Sequence, residues 1–175
     1  ICCYIIKIYI FMKTKKNIIK KKYTKKNNCK ESIILDSGEG GNNFRKLLLY
    51  KNKSCKINLK KINNGNILSK NTFNYIKEVV NSKIKFYSLK KKKIIIACHT
   101  AVSTIYNDLI KNNFVVNNCK IYEPILPTCK YIKKHKFKNI LISSTSITKK
   151  IGIHKKMLPN LNIKYIKFDN LADDI

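Results

Sequence analysis

The chain has 175 residues, and its 44% of hydrophobic residues is enough for one ordinary domain, or for one domain and part of another. Its formal net charge of +29 would usually indicate a polyanionic partner. Only Arg45 among the 38 basic residues is an arginine, however, and nucleic-acid sites favour the planar fork of arginine. We therefore expect no specific nucleic-acid site, and a non-enzymatic, lysine-rich nucleic-acid-binding module remains only an alternative.

The seven cysteines form neither a secreted disulfide framework nor a metal-binding pattern. No C-x-x-C spacing occurs, and Cys119 and Cys129 lack the spacing of metal ligands. Reduced thiols in a cytoplasmic protein are the better expectation. The apolar run that ends at Phe11 is too short to cross a bilayer, so we expect no membrane association.

Residues 1–30 are predicted to form a disordered basic leader, because most of this stretch is rich in lysine and asparagine with little periodicity. The chain begins with Ile1 rather than a methionine. Met12 is an alternative start, which would make residues 1–11 an upstream translation artefact.

Regular structure is predicted to begin with the apolar strand 32–35, which runs directly into the loop Asp36-Ser37-Gly38-Glu39-Gly40-Gly41. Glycines in such a loop let backbone amides approach an anion at a helix N-terminus. An N-cap and turn explain Asp36 and Ser37 equally well. A second strand is predicted over 56–59, and a helix with one apolar face over 73–87, capped by Ser69.

The run Ile94-Ile95-Ile96 predicts a buried strand, and Cys98 follows it closely. A free cysteine is most often a small buried hydrophobe. At the carboxyl end of a buried strand, however, a thiol lies in the crevice where open α/β sheets bind ligands. The apolar spacing of residues 102–110 predicts a helix after this cysteine.

Further strands are predicted over 120–122, 139–143 and 163–168, with a helix opened by Pro127 between the first two. Strands that alternate with helices imply an α/β fold of parallel βαβ units with right-handed crossovers. Polar residues follow three of these strands: Asp36 and Ser37, then Cys98 to Thr100, then Ser144 to Thr148. All three groups should therefore lie at carboxyl edges of parallel sheet.

These segments together resemble glutamate racemase, in the cofactor-independent aspartate/glutamate racemase superfamily. The D-S-G-x-G-G motif of that family is matched by residues 36–41, and its A-C-N-T-A motif by residues 97–101 except at His99. Its E-P loop is similar to Glu123-Pro124, and its T-x-x-T to Thr145 and Thr148. The order and intervals of the motifs agree from about residue 31 onwards.

The resemblance implies two similar α/β domains that face each other across an amino acid, each contributing one cysteine, with no cofactor and no metal. We expect a flavodoxin-like first domain over 31–117 that carries Cys98. An incomplete second domain of the same type is expected over 118–175. The implied reaction interconverts L- and D-glutamate for peptidoglycan synthesis, and a homodimer is left open.

The resemblance also implies roles for single residues. Cys98 is similar to the proton donor and acceptor of the first domain, and Asp36 would assist proton handling there. The resemblance implies substrate binding by a further set of residues. In this set His99 stands at the position of the family asparagine. Gly65 comes from a loop in which Asn64 replaces the family tyrosine. The set is Ser37, Gly65, His99, Thr100, Thr145 and Thr148.

One departure from the family concerns the second catalytic thiol. The second-domain motif G-C-T-H-Y-P is absent from the sequence, and the remaining cysteines do not match it. Racemization by two thiols needs a second thiol on the opposite face of the substrate, and this sequence does not match the motif that supplies it. We therefore expect the chain alone to be inactive. Another reaction of the superfamily, such as aspartate racemization, stays an alternative.

Overall fold

The structure, a computed structural model, describes residues 31–38, 40–51, 55–62, 72–90 and 92–167. Strands and helices alternate over most of this length. The strands are β1 (Ser32–Asp36), β2 (Ile57–Lys61), β3 (Lys93–Ile96), β4 (Val115–Val116), β5 (Cys119–Tyr122), β6 (Asn139–Ser144) and β7 (Asn162–Lys167). The helices are α1 (Gly40–Lys51), α2 (Phe73–Leu89), α3 (His99–Lys111), α4 (Ile125–Lys134), α5 (Ser146–Ile151) and α6 (Ile153–Met157).

The first sheet has five strands in the order β2-β1-β3-β5-β4. β1 lies between β2 and β3 and is parallel to both, with Ile33 opposite Asn58 on one side and Ile94 on the other. β5 continues the parallel arrangement beside β3, and only β4 is antiparallel. The carboxyl ends of β1 and β3 therefore meet at one edge of the sheet, which is where ligands bind in folds of this type.

The helices cover the sheet with apolar faces spaced by three or four residues. α2 buries Ile76, Val80 and Ile84, as the sequence spacing predicts. α3 is buried over most of its length, from Thr100 to Tyr106, because it lies between the first sheet and the second half of the chain. Burial of α3 on more than one face fixes the position of its N-terminus, where Cys98 is the N-cap.

The second sheet consists of β6 and β7, paired in parallel with Asn139 opposite Asn162. Ile142 of β6 and Ile163 of β7 are buried in the same hydrophobic core as β1, β3 and α3. Ile153 and Leu158, in and just after α6, complete this side of the core. The two sheets are thus joined by one continuous apolar cluster.

The predicted α/β class with parallel βαβ units is confirmed, and most predicted elements are present within a few residues of their expected bounds. The short strand β4 was not predicted, because two valines carry too little pattern. The predicted start of α4 at Pro127 is wrong. The helix begins at Ile125, since the carboxylate of Glu123 accepts hydrogen bonds from the amides of Ile125 and Leu126 and so caps the first turn.

The cap of α2 also differs from the prediction. Ser69 lies outside the described residues, and Thr72 is the N-cap, with its hydroxyl accepting from the amide of Tyr75 at 3.3 Å. The first sheet extends to Tyr122, beyond the predicted end of the first domain at residue 117. The division of the chain into two domains stays a prediction.

None of the helices within the described ranges is long and apolar enough to cross a membrane. Cys98, Cys119 and Cys129 carry free thiols, as expected for reduced cysteines. Cys55 is disulfide-bonded, which departs from that expectation.

Candidate active site

The loop after β1 is organised by the carboxylate of Asp36. This residue is buried, and its Oδ2 accepts hydrogen bonds from the amide of Gly41 at 2.5 Å and from that of Gly38 at 3.4 Å. A Cβ at position 41 would lie 2.7 Å from the Cβ of Asp36 and 2.5 Å from a methyl group of Leu59. Glycine is therefore required at this position so that the first turn of α1 can approach the carboxylate.

The thiol of Cys98 faces this loop from the end of β3. Its Sγ lies 3.2 Å from the Oγ of Ser37, a contact between residues 61 positions apart in the sequence. The amide of Ala101, in the first turn of α3, donates to the same sulfur at 3.5 Å. Parallel pairing of β1 with β3 thus brings the aspartate–serine motif and the cysteine motif into direct contact. The sequence predicted that both motifs lie at a carboxyl edge of parallel sheet, and the structure shows that they share one edge.

The electrostatic environment keeps this thiol protonated. Burial of the group and, next in size, the negative charge of Asp36 raise the pKa of Cys98 to about 11. The hydrogen bond with Ser37 and the amides of Ala101 and Thr100 act in the opposite direction and lower the pKa. At neutral pH Cys98 is therefore a proton donor in this state, and it becomes a base only when positive charge arrives beside it.

Three threonine hydroxyls form a triangle where α3 meets α5. The Oγ1 of Thr100 lies 3.0 Å from that of Thr145, and the Oγ1 of Thr145 donates to that of Thr148 at 3.1 Å. Thr148 closes the triangle by donating to Thr100 at 3.4 Å. Thr145 is also the N-cap of α5, where its hydroxyl accepts from the amide of Thr148. These hydroxyls are hydrogen-bonded to one another in the structure. Each can rotate to donate its hydrogen bond to a bound carboxylate instead.

His99 lies beside the triangle and stacks on a second histidine. The ring centroids of His99 and His154 are 6.0 Å apart, with an interplanar angle of 24°. His154 is buried in α6, and its Nδ1 lies 3.5 Å from the hydroxyl of Tyr165 on β7. Burial lowers the pKa of His154 to about 4, so this ring is neutral at physiological pH.

Most of the residues predicted for the site therefore lie in two adjoining groups. Asp36, Ser37 and Cys98 form one, and the three threonines form the other. Gly65 lies outside the described residues. Sequence reasoning missed His154 and Tyr165, because a single histidine in a short helix carries no motif and only the fold brings it against His99.

The two other free thiols of the described residues, Cys119 and Cys129, lie apart from this site. Cys119 is buried in β5 and donates to the carbonyl of Ser88 at 3.3 Å. Cys129 is buried on α4, where burial and the charge of Glu123 raise its pKa to about 11. Glu123, from the predicted E-P loop, accepts hydrogen bonds from the amides of Ile125 and Leu126 in the first turn of α4.

No family model matches the sequence, and no curated protein matches it significantly. Solved structures do match. The glutamate racemase of Aquifex pyrophilus is similar with a TM-score of 0.64 and 22% identity, over 81% of this chain and 57% of that one. A glutamate racemase isoform of Bacillus anthracis gives a TM-score of 0.68 and 20% identity, over 82% of this chain and 55% of that one.

A third structure, of the Francisella tularensis glutamate racemase in complex with D-glutamate, gives a TM-score of 0.65 and 17% identity. It is matched over 78% of this chain and 52% of that one. The chain has the glutamate racemase fold. It spans a little more than half the length of these three racemases.

Proposed function

We propose that this chain carries the first-thiol half of a glutamate racemase site. In this proposal the crevice between the ends of β1 and β3 binds an amino acid, and Cys98 exchanges a proton with its α-carbon. The observation that carries the proposal is the 3.2 Å contact between Cys98 and Ser37, next to the buried carboxylate of Asp36. A merely structural cysteine would have no need of a hydroxyl and a carboxylate from a different strand.

The chemistry requires both a base and charge stabilisation. The α-proton of an amino acid is very weakly acidic, so a base must be held against it while the developing carbanion is stabilised. The ammonium group of the substrate would bring positive charge beside Cys98 and oppose the effects of burial and of Asp36 on its pKa. The thiolate then takes the α-proton, and the resulting thiol returns a proton to the same face.

The hydroxyl triangle supports a carboxylate-binding role. Thr100 follows Cys98 by two residues at the N-terminus of α3, where backbone amides and the helix dipole favour negative charge. Thr145 and Thr148 add hydroxyl donors from α5. Ser37 would hold the substrate on the side of the thiol, and His99 can donate a hydrogen bond from its ring. Glutamate is the proposed substrate because a racemase of this fold has been solved with D-glutamate.

A single thiol sets the outcome of the reaction. Neither Cys119 nor Cys129 lies at the crevice, so among the described residues only Cys98 can act on the substrate. We therefore expect the chain to exchange the α-proton of one glutamate enantiomer with solvent, without inversion. A cytoplasmic role in supplying D-glutamate for peptidoglycan would need a second thiol on the opposite face.

Proton NMR in D₂O tests this proposal, since loss of the α-proton signal reports exchange directly. The purified chain is incubated separately with L- and D-glutamate, and the enantiomers are separated afterwards. We expect exchange with one enantiomer, abolished in Cys98→Ala and retained in the matched variant Cys119→Ser, whose hydroxyl can still donate to Ser88.

The possible outcomes test separately the role of the Cys98 thiol, the proposed function and the single-thiol assignment. Equal exchange by Cys98→Ala and the unchanged chain would remove the thiol from the chemistry. Absence of exchange with either enantiomer, from protein that is folded by circular dichroism, would overturn the proposed function. Measurable conversion of L- to D-glutamate would contradict the single-thiol assignment.

A further inference from the structure

The ring of His99 lies between the hydroxyl triangle and the buried residues of α6 and β7. His99 is the first residue of α3 and directly precedes Thr100 of the triangle. Its side chain is half-buried, and it lines a cavity of about 260 Å³ together with Thr148 and His154. All six residues of β6 line the same cavity. His99 is therefore placed to reach a carboxylate that the triangle binds.

Two contacts fix the ring against which His99 packs. The rings of His99 and His154 are nearly parallel, with centroids 6.0 Å apart and an interplanar angle of 24°. The Nδ1 of His154 lies 3.5 Å from the hydroxyl of Tyr165, and the centroids of these two rings are 6.3 Å apart. Tyr165 belongs to β7, which is paired with β6 along its length. A strand of regular structure thus supports His154, and His154 supports His99.

A half-buried histidine at the start of a helix needs such support to bind a ligand well. The torsion that rotates an imidazole ring has broad minima, so the ring must be held if one of its nitrogens is to point at a ligand. A side chain that becomes ordered only on binding lowers the affinity. Stacking on a ring that is already fixed avoids most of that loss.

Packing alone would not favour a histidine at position 154. His154 is 3% exposed, and burial lowers its pKa to about 4, so this ring makes the fold less stable in mild acid. A leucine would fill a similar volume without that effect. Because the ring is neutral at physiological pH, it supports His99 by contact and adds no charge to the site. The flat ring, rather than its volume, is therefore what position 154 supplies.

We propose that His154 is a positioning residue, which holds the ring of His99 so that one of its nitrogens donates a hydrogen bond to the substrate carboxylate at the hydroxyl triangle. Tyr165 acts one step further away, by fixing the ring of His154. This inference rests on the proposed function, since it names the support of a group that would bind glutamate. It assigns to His154 a part in affinity and none in the proton transfer.

The exchange assay in D₂O, run over a range of glutamate concentrations, tests the proposal. His154→Leu removes the ring and keeps an apolar side chain. We expect it to raise the glutamate concentration at half-maximal exchange about tenfold, as for one lost hydrogen bond to a charged group, and to keep the maximal rate within about twofold. His154→Phe restores a flat ring and should bring the half-maximal concentration back to within about twofold of that of the unchanged chain.

Two further variants define which contacts matter. His135→Leu is the matched control, because His135 also stacks on an aromatic ring, that of Tyr131, and does not line the cavity. It should leave the half-maximal concentration and the maximal rate unchanged. Tyr165→Phe removes only the hydroxyl and should raise the half-maximal concentration about threefold.

NMR signals of the histidine rings report the same support without turnover. The chain has three histidines, so each signal is assigned by its disappearance in a variant. The His99 signal should shift in His154→Leu before glutamate is added, because the ring current of His154 is lost, and it should stay in place in His135→Leu. Glutamate should move the His99 signal of the unchanged chain, and should do so only at higher concentrations in His154→Leu.

Several results would overturn the proposal. These are an equal half-maximal concentration in His154→Leu, a fall in its maximal rate alone, or no recovery in His154→Phe that is folded by circular dichroism. If His154→Leu does not fold, Tyr165→Phe decides, and an unchanged half-maximal concentration in that variant overturns the proposal. Absence of exchange in the unchanged chain would instead overturn the proposed function. The positioning role is then decided by NMR, and a His99 signal that glutamate does not move overturns it as well.

Discussion

β1 and β6 have similar apolar sequences and begin similar βαβ units, yet they lie in different environments. All five residues of β1 are buried, because β2 and β3 flank it on both sides and helices cover the sheet. β6 is paired on one side alone among the described strands, and only Ile142 and Ser144 of its six residues are buried. Neighbouring strands, rather than apolar content, therefore decide which of the two strands is deeply buried.

The largest expected effect compares a leucine from each strand. Leu35 of β1 is 0% exposed and Leu141 of β6 is 57% exposed. Leu35→Ala should lower the free energy of unfolding by about 2–5 kcal/mol, since it leaves a cavity in the core. Leu141→Ala should change it by less than about 0.5 kcal/mol. Urea denaturation followed by circular dichroism measures both, and equal losses would contradict the difference between the strands.

The turn after β1 provides the next test. Gly41→Ala places a methyl group against Asp36 and Leu59, and should cost about 3 kcal/mol of unfolding free energy. Gly38→Ala is the matched control, because no atom lies within 4 Å of the added Cβ. Equal stabilities for the two variants would show that the close approach of α1 to Asp36 does not hold.

The stability of the folded chain should depend on acid through His154, which lies in α6 between β6 and β7. His154 has a pKa near 4 when folded and near 6.5 when unfolded, so between these values only the unfolded chain takes up its proton. Stability is therefore full above about pH 6.5 and falls as the pH drops towards 4, by about 2 kcal/mol at pH 5. The variant His154→Gln should lose this part of the pH dependence in urea denaturation. An unchanged pH dependence in this variant would contradict the assignment to His154.

The smallest effect concerns two N-caps. Thr72 and Thr145 each accept a hydrogen bond from the first turn of a helix, at 3.3 and 3.4 Å. Replacement of either by alanine should cost about 1 kcal/mol. Thr145→Ala should cost more than Thr72→Ala, since Thr145 also bonds the hydroxyls of Thr100 and Thr148. Thr145→Ser should recover the loss, and a larger cost at Thr72 would contradict the hydroxyl triangle.

The position of the first group of site residues, Asp36, Ser37 and Cys98, could largely be predicted from the sequence. Asp36 and Ser37 follow an apolar run, and Cys98 follows another, so each falls at the end of a strand whose position the local pattern gives. Parallel βαβ connections then bring the two strand ends to one edge. The contact between Ser37 and Cys98 also requires that β1 and β3 be neighbours in the sheet, which the structure shows.

The second group of site residues, the three threonines, could be predicted only in part. Thr145 and Thr148 were predicted to follow a strand, but their bonds to Thr100 depend on how α5 packs against α3. No periodicity in the sequence encodes that packing. His154 and Tyr165 were missed for the same reason, since each is an isolated polar residue until the fold places it against the site.

The sequence by itself determined the α/β class, the order of most strands and helices, and the identity of the thiol, because these depend on short-range patterns and on the fixed handedness of parallel crossovers. The tertiary structure alone decided that β5 belongs to the first sheet, that Glu123 accepts hydrogen bonds from the first turn of α4, and that β6 lines a cavity together with His99 and His154. Each of these depends on which surfaces meet across long sequence separations, and burial and pairing of that kind become defined only when the whole chain packs.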